Sequence, residues 1–365
     1  MKGSEHHIRS LLTDAVSAFI PAPADAPVAT DAFGRLFRNI LQAYDPHAEN
    51  AGAPRLEEIR SVRILSAGMR SVVLRAHGPS SSVILKYFRR RDSAHNSGGF
   101  GYLREKHGLP ALNGLLPGSY CALLFADDDA RLLCLEDIDG VPLIGLSPRD
   151  DPRWTEGALA DWCDFWVEIL NAHPTSDLDA VRHFTQSIAR ADPQARRPGA
   201  LPSPRLAERG LRRWAAASGM AEYSPAFSLL LDQLDQVTTP PPELAVFSAG
   251  DFSPHNLLLC PQGGIRGIDA EGACVHHRLL PVAELFLGFP SAPGYPTYTL
   301  GFSATTWLEH TQNFYERVTP APLADLREDA RVRAAVLYTR AVLAEQRPET
   351  IDTSLASSLA VITKE

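Results

Sequence analysis

The chain has 365 residues, about two units at the ~150 residues typical of a domain. Its 45% apolar and 21% charged residues describe a globular protein and exclude a disordered one. A net charge of −8, from 43 acidic and 35 basic side chains, excludes a nucleic-acid binder that works through a basic face. The acidity is uneven: residues 1–140 carry 16 basic and 16 acidic side chains, and residues 141–365 carry 19 and 27. A solvated surface and a cleft for a cationic substrate both account for that excess. The five cysteines (Cys121, Cys134, Cys163, Cys260 and Cys274) form no Cys-x-x-Cys pair, so neither a disulfide framework nor a zinc ribbon is expected. No apolar run approaches the ~18–20 residues of a membrane span. Glu5, His6, His7 and Arg9 make a poor signal peptide. A cytoplasmic chain with no membrane partner is expected.

In chain order, Ile8, Leu11, Leu12, Ala15, Val16, Phe19 and Ile20 show the spacing of an amphipathic helix. Residues 21–27, rich in Pro and Ala, read as a linker. Phe33, Leu36, Phe37, Ile40, Leu41 and Tyr44 predict a second helix. The pair suits a helical cap over the first unit, with a membrane or partner surface as the alternative. From Ser61 the pattern turns to strands, over 62–65, 71–76 and 83–88. A helix centred on 102–107 and strands over 120–125 and 131–136 come next. That order implies an antiparallel sheet with one helix on it. Beyond Gly140 helices dominate, at 159–172, 205–217 and 225–234. Pro240, Pro241 and Pro242 end that run, and strands over 257–260 and 265–268 form a hairpin around Gly263 and Gly264. Helices resume at 281–287, 304–318 and 323–344.

The most informative stretch is Phe247 to Glu271, FSAGDFSPHNLLLCPQGGIRGIDAE. Asp251 and Asn256 lie on a loop with Gly and Pro before an apolar strand, and Asp269 closes the returning strand. A loop and a strand end can bring three oxygen-bearing groups to one point without burying a charge in the core. Hard oxygen ligands of this kind suit magnesium, leaving Asp251 free to take a proton from a hydroxyl nucleophile. Ordinary turn chemistry would also place Asp and Asn here.

Asp251-x4-Asn256 followed by Asp269-x-Glu271 resembles the catalytic segment of the aminoglycoside phosphotransferase and choline kinase-like family. The resemblance implies Asp251 as the base or hydroxyl-orienting residue and Asn256 and Asp269 as magnesium ligands. The usual segment begins His-Gly-Asp and continues Leu-His-Pro-Gly-Asn. Here Ala249 stands for the first His, Ser253 for the second and His255 for the Gly. The first His usually supports loop geometry.

Lys86 lies on an apolar strand, and a half-buried lysine needs an anionic partner. Nucleotide phosphates and a helix glutamate would supply one, with Glu105 chosen by order and helix position. A surface lysine is the alternative. The turn around Gly68, Arg70 and Ser71 stands where a kinase covers phosphates, with backbone N–H groups from Gly68 to Ser71 available; by itself it is a hairpin turn. No G-x4-G-K-[ST] is present, so the chain is not a P-loop protein. Glu136 to Gly140, with Ile138 between, resembles the family's hinge, where a strand end offers backbone groups to an adenine edge; an acidic connector is the other reading. Ala172-His173-Pro174 resembles the small residue and His before the catalytic segment, and reads equally as a helix end. His276 and His277 could ligate a metal, but with no further ligand at suitable spacing they read as a solvent-facing turn. Glu284 occupies the usual Asp of an Asp-Leu-Ala helix.

The resemblance spans roughly residues 60–345. It implies an α+β, two-lobed protein-kinase-like fold: a helical N-terminal extension (1–58), a small antiparallel β lobe that binds nucleotide (59–139), and a larger, mostly helical lobe with the catalytic loop and acceptor site (140–365). The expected function is an ATP- or GTP-dependent phosphotransferase using Mg2+. Its partner would be a small-molecule hydroxyl, above all on an aminoglycoside or other natural-product antibiotic, as in resistance or self-protection. A primary-metabolite kinase (choline, homoserine or sugar) and a nucleotide-binding pseudokinase are the alternatives, in a monomer or homodimer.

Overall fold

The computed structural model describes residues 7, 8, 10–12, 15, 26–68, 70–89, 101–143, 156–172, 179–191, 193, 201, 204–222, 224–290 and 302–346. His173 and Pro174 lie outside them. The first five strands are β1 (Ser61–Ala67), β2 (Ser71–His77), β3 (Ser82–Phe88), β4 (Leu123–Asp127) and β5 (Leu132–Glu136). They form one antiparallel sheet in the order β1-β2-β3-β5-β4. Strand side chains alternate between faces, and that alternation gives the sheet two separate cores. Val62, Ile64, Val72, Leu74, Ala76, Val83, Leu85, Leu132 and Cys134 pack on Phe37, Ile40, Leu41 and Tyr44 of helix α1 (Ala26–Ala48). Ile84, Phe88, Leu133 and Leu135 belong to the other core, which runs on into the helical part. Lys86 shares that second face by its position in β3.

Helix α1 begins at Ala26, so Pro27 is part of its first turn, where a missing N–H costs nothing, and the expected linker is shorter. Residues 7, 8, 10–12 and 15 are helical, with Ile8, Leu11 and Ala15 buried against the same core. The helix on the second face, α2, extends over Tyr102–Leu115.

The rest of the chain supplies β6 (Val141–Pro142) and helices α3 (Glu156–Ala172), α4 (Asp179–Ala191), α5 (Pro204–Ala217) and α6 (Pro225–Thr238). Then come β7 (Ala245–Ser248), β8 (Leu257–Leu259), β9 (Ile265–Gly267) and β10 (Cys274–His277), followed by α7 (Leu280–Phe286), α8 (Ala304–Val318) and α9 (Ala330–Gln346). Strands β8 and β9 form the expected hairpin. Gly263 and Gly264 make its turn at φ +88° and +84°, which only glycine adopts at low cost. Two departures have clear causes. The expected helix over 323–344 is broken at Asp329, whose carboxylate accepts from the Arg331 N–H at 2.8 Å and starts α9 as an N-cap. The strand expected over 120–125 starts at Leu123, because Cys121 N donates to Gly267 O and Gly267 N to Ser119 O. The sheet is thereby joined to the β8–β9 hairpin. Among the described residues no helix is long and apolar enough to cross a membrane, and all five cysteines are free thiols.

Candidate active site

A two-stranded ribbon, β7 paired with β10, builds the centre of the site. Its last rung, Ser248 opposite Cys274, is where the chain leaves for the Asp251 loop on one strand and arrives from the Asp269–Glu271 loop on the other. The two loops therefore start side by side. Gly250, at φ +70°, lets them touch: a Cβ there would lie 2.1 Å from the Gly272 carbonyl oxygen. The Asp251 loop is held from beneath. Trp162 Nε1 donates to Phe252 O at 3.2 Å, and the Phe252 ring packs edge-on against Trp166.

Asp251 is half-buried; one of its oxygens accepts from Ser253 N at 2.9 Å, and the Asn256 side chain bonds to it as well. Burial raises its pKa to about 6, assisted by the negative charges of Asp269 and Glu271 against those two hydrogen bonds. A carboxylate tuned in this way is ionised at neutral pH and is a stronger base than an exposed aspartate. It opens onto a cavity of about 330 Å³, whose walls also include Arg70, Phe252, Leu280, Glu284, Tyr338 and Val342.

The structure brings Lys86, Glu105, Asp269 and Glu271 together. Lys86 Nζ lies 2.6 Å from Glu105 Oε2, 3.1 Å from Asp269 Oδ2 and 2.9 Å from Glu271 Oε1. Burial disfavours the ammonium, but Asp269, Glu105 and Glu271 outweigh it and keep Lys86 charged. Three carboxylates share that one ammonium. Burial, with mutual repulsion added, therefore lifts Glu105 and Asp269 above the ordinary carboxylate range despite the pull of Lys86. Asp269 Oδ1 also accepts from Glu271 N at 2.8 Å. An all-oxygen cluster with negative charge to spare fits a hard divalent cation.

The remaining expected residues lie around this centre. Gly68 N closes the β1–β2 turn onto Ser71 O at 2.9 Å, and Ser71 pairs with Phe88. The Glu136 carboxylate is held by Arg266, through 2.7 Å contacts to both oxygens, and by Ala122 N at 2.9 Å. Its backbone N–H is itself given to Ala122 O at 2.9 Å, so the carbonyl is what Glu136 could offer a base. Ile138 is buried in the second core. Glu284 stands in the cavity wall beside Asp251.

His276 and His277 correct the sequence reading. They are buried, 0% and 2% exposed, because β10 needs both faces covered, and they belong to a strand instead of a solvent-facing turn. Two arginines had no sequence signal beyond their type. Arg266, alternating out of β9, clamps Glu136 and also donates to Gly118 O and Tyr120 O. Arg70, at the β1–β2 loop, reaches within 3.4 Å of Glu271 while lining the Asp251 cavity.

No protein-family model and no curated protein matches the chain. Solved structures do. A macrolide 2'-phosphotransferase type I shares 13% identity, over 89% of this chain and 97% of that one, with a TM-score of 0.50. A choline kinase from Cryptosporidium parvum Iowa II also shares 13%, over 88% and 95%, with a TM-score of 0.50. The fold is that of the aminoglycoside phosphotransferase and choline kinase-like family, a two-lobed, protein-kinase-like α+β architecture.

Proposed function

We propose that the protein is an ATP- or GTP-dependent phosphotransferase that moves the γ-phosphoryl group to a hydroxyl of a small molecule. One observation carries this reading. A single stretch, Gly250 to Glu271, puts a carboxylate of raised pKa in the wall of a molecule-sized cavity and a second carboxylate on a buried lysine. Phosphoryl transfer asks for that juxtaposition, an acceptor-orienting base beside a charge-neutralising centre, and for little covalent chemistry.

Lys86 would bind the nucleotide phosphates, with Glu105 holding its ammonium in place. Asp269 and Asn256 would hold Mg2+, which would supply charge neutralisation for the transferring phosphoryl group. The acidic cluster of Glu105, Asp269 and Glu271 supports Asp269 in that role, and Asn256 enters through the resemblance, its side chain bonded to Asp251. Asp251 would accept the hydroxyl hydrogen bond and orient the oxygen for in-line attack. Gly68 and Ser71 would sit over the phosphates, and Glu136 to Ile138 beside the base.

The cavity wall supports one class of acceptor. Phe252, Leu280, Tyr338 and Val342 give it apolar surface, and Asp251 and Glu284 give it two carboxylates. That combination suits a hydroxylated natural product with a substantial apolar body and few basic groups better than a polycation. The macrolide enzyme of the same fold makes such antibiotics the first class to try. In the test, Mg2+, labelled ATP or GTP and a panel of macrolides, aminoglycosides, choline, nucleosides and sugars are scored by product mass. Phosphoryl gain on an amphiphilic acceptor supports the proposal. Tight nucleotide binding without transfer to any acceptor makes the protein a pseudokinase.

A further inference from the structure

The residue before Asp251 is held by a directed hydrogen-bond chain that begins in β10. Ser248 and His276 are diagonal neighbours on one face of the β7–β10 ribbon, since Ser248 pairs with Cys274 and Val246 with His276. His276 Nδ1 lies 2.9 Å from the His277 carbonyl oxygen. A carbonyl only accepts, so Nδ1 carries the proton and Nε2 is bare. Nε2 therefore accepts from the Ser248 hydroxyl, 2.6 Å away. That hydroxyl's oxygen in turn accepts from the Gly250 N–H at 3.1 Å. Each donor and acceptor role is fixed by the one before it.

Both side chains in the chain are fully buried, and burial holds the imidazole neutral at neutral pH, with its pKa near 4. The same imidazole packs edge-on against Phe252, at 5.2 Å between ring centroids. His276 thus contacts Phe252 directly and holds Gly250 through Ser248. These are the residues on either side of Asp251. Ala249 gives the loop no polar side chain of its own.

We propose that His276, acting through Ser248, is the positioning residue that sets the orientation of the Asp251 loop. Its kinetic consequence rests on the phosphotransferase reading; its structural consequence does not. A base displaced by a fraction of an ångström loses rate without losing nucleotide affinity.

The test uses the full chain with three substitutions: His276→Phe, which fills the space but cannot accept; His276→Gln, whose amide oxygen can accept from Ser248; and Ser248→Ala. Three readouts are taken. By 15N NMR, His276 of the unsubstituted protein is expected as the Nδ1–H tautomer; an Nε2–H tautomer overturns the proposal. By hydrogen exchange, the Gly250 amide should exchange about tenfold faster in His276→Phe and Ser248→Ala, with protection largely restored in His276→Gln. Unchanged protection in a folded Ser248→Ala protein overturns it, and Ser248→Ala alone decides if His276→Phe does not fold. With Mg2+ and ATP, release of inorganic phosphate should fall about tenfold in kcat in His276→Phe and Ser248→Ala, with KM for ATP unchanged, and recover in His276→Gln. A rise in KM at constant kcat counts against positioning. If the unsubstituted protein releases no phosphate without an acceptor, kcat is compared with an acceptor from the panel; transfer to none of them overturns the phosphotransferase reading, while exchange and tautomer still judge the His276 chain.

Discussion

Arg266 of β9 grips both carboxylate oxygens of Glu136, at 2.7 Å each, across the junction between the β sheet and the β8–β9 hairpin. The guanidinium holds Glu136 below the usual carboxylate range, against some desolvation. Its other N–H groups reach Gly118 O and Tyr120 O, so one side chain fastens three segments. Planar two-pronged recognition is not available to lysine. Arg266→Lys is therefore expected to lower stability by about 1 kcal/mol and to raise the KM for nucleotide, because the strand end at Glu136 loses its fixed height over the hairpin. Thermal melting and a nucleotide titration check it. Wild-type values in both would show the grip to be incidental.

Asp251→Asn separates chemistry from binding. General-base help contributes ~10²–10⁴-fold, so turnover should fall by at least about a hundredfold while nucleotide affinity stays within a factor of two. The same change should stabilise the fold at neutral pH by roughly 2 kcal/mol, since a carboxylate raised to about 6 costs stability when ionised. A mutant retaining a tenth of the rate contradicts the base role.

The pH dependence has a definite sign. The folded pKa of Asp251 is raised from 3.8 to about 6. The active, ionised form is therefore lost as pH falls through 6, and kcat/KM should drop about tenfold per unit below that. Stability runs the other way for this group. The folded state binds the proton more tightly than the unfolded chain, so Asp251 detracts from stability progressively as pH rises from about 4 to 6. A kcat/KM profile flat down to pH 5 would remove Asp251 as the titrating base.

Lys86→Met would take the shared ammonium from three carboxylates at once and leave Arg70 as a cationic neighbour of Glu271. Nucleotide affinity should fall at least tenfold, and the melting temperature should fall too, because an uncompensated buried charge is costly. Adding Glu105→Gln should recover part of the melting temperature and none of the affinity. Recovery of affinity in the double variant would mean that Lys86 does not contact phosphate.

The centre of this site is legible in sequence because it is local. Asp251, Asn256 and Asp269 hang on one loop and one hairpin, and Gly263-Gly264 announces the turn that returns the chain. The α1 cap and the sheet are readable from their periods of 3.6 and 2. Helix α4 is equally legible, although no helix was expected there: Val181, Phe184 and Ile188 lie on one helical face. What could not be read depends on contacts between distant segments. The β7–β10 rungs are four residues long and separated by the Asp251 and Asp269–Glu271 loops, too short for any alternation to declare itself. His276 is an ordinary histidine until Ser248 is placed beside it. Arg70 and Arg266 are ordinary surface arginines until the fold brings Glu271 and Glu136 within reach.

Helix α2 carries Glu105, and its seat has a consequence for control. Arg104 donates to Ala273 O at 2.5 Å, and Gly101 N to Glu271 O at 3.1 Å. Gly108 sits so close to Ala273 that a Cβ on it would lie 2.6 Å from that alanine's own. The helix is thus sewn to the strip of chain between Glu271 and Ala273, next to Asp269. In protein kinases, displacing the corresponding helix is one way of switching catalysis off. Here the lysine's partner cannot swing away without dragging the acidic loop along. On the phosphotransferase reading, that helix is a fixed wall of the site and not a movable switch.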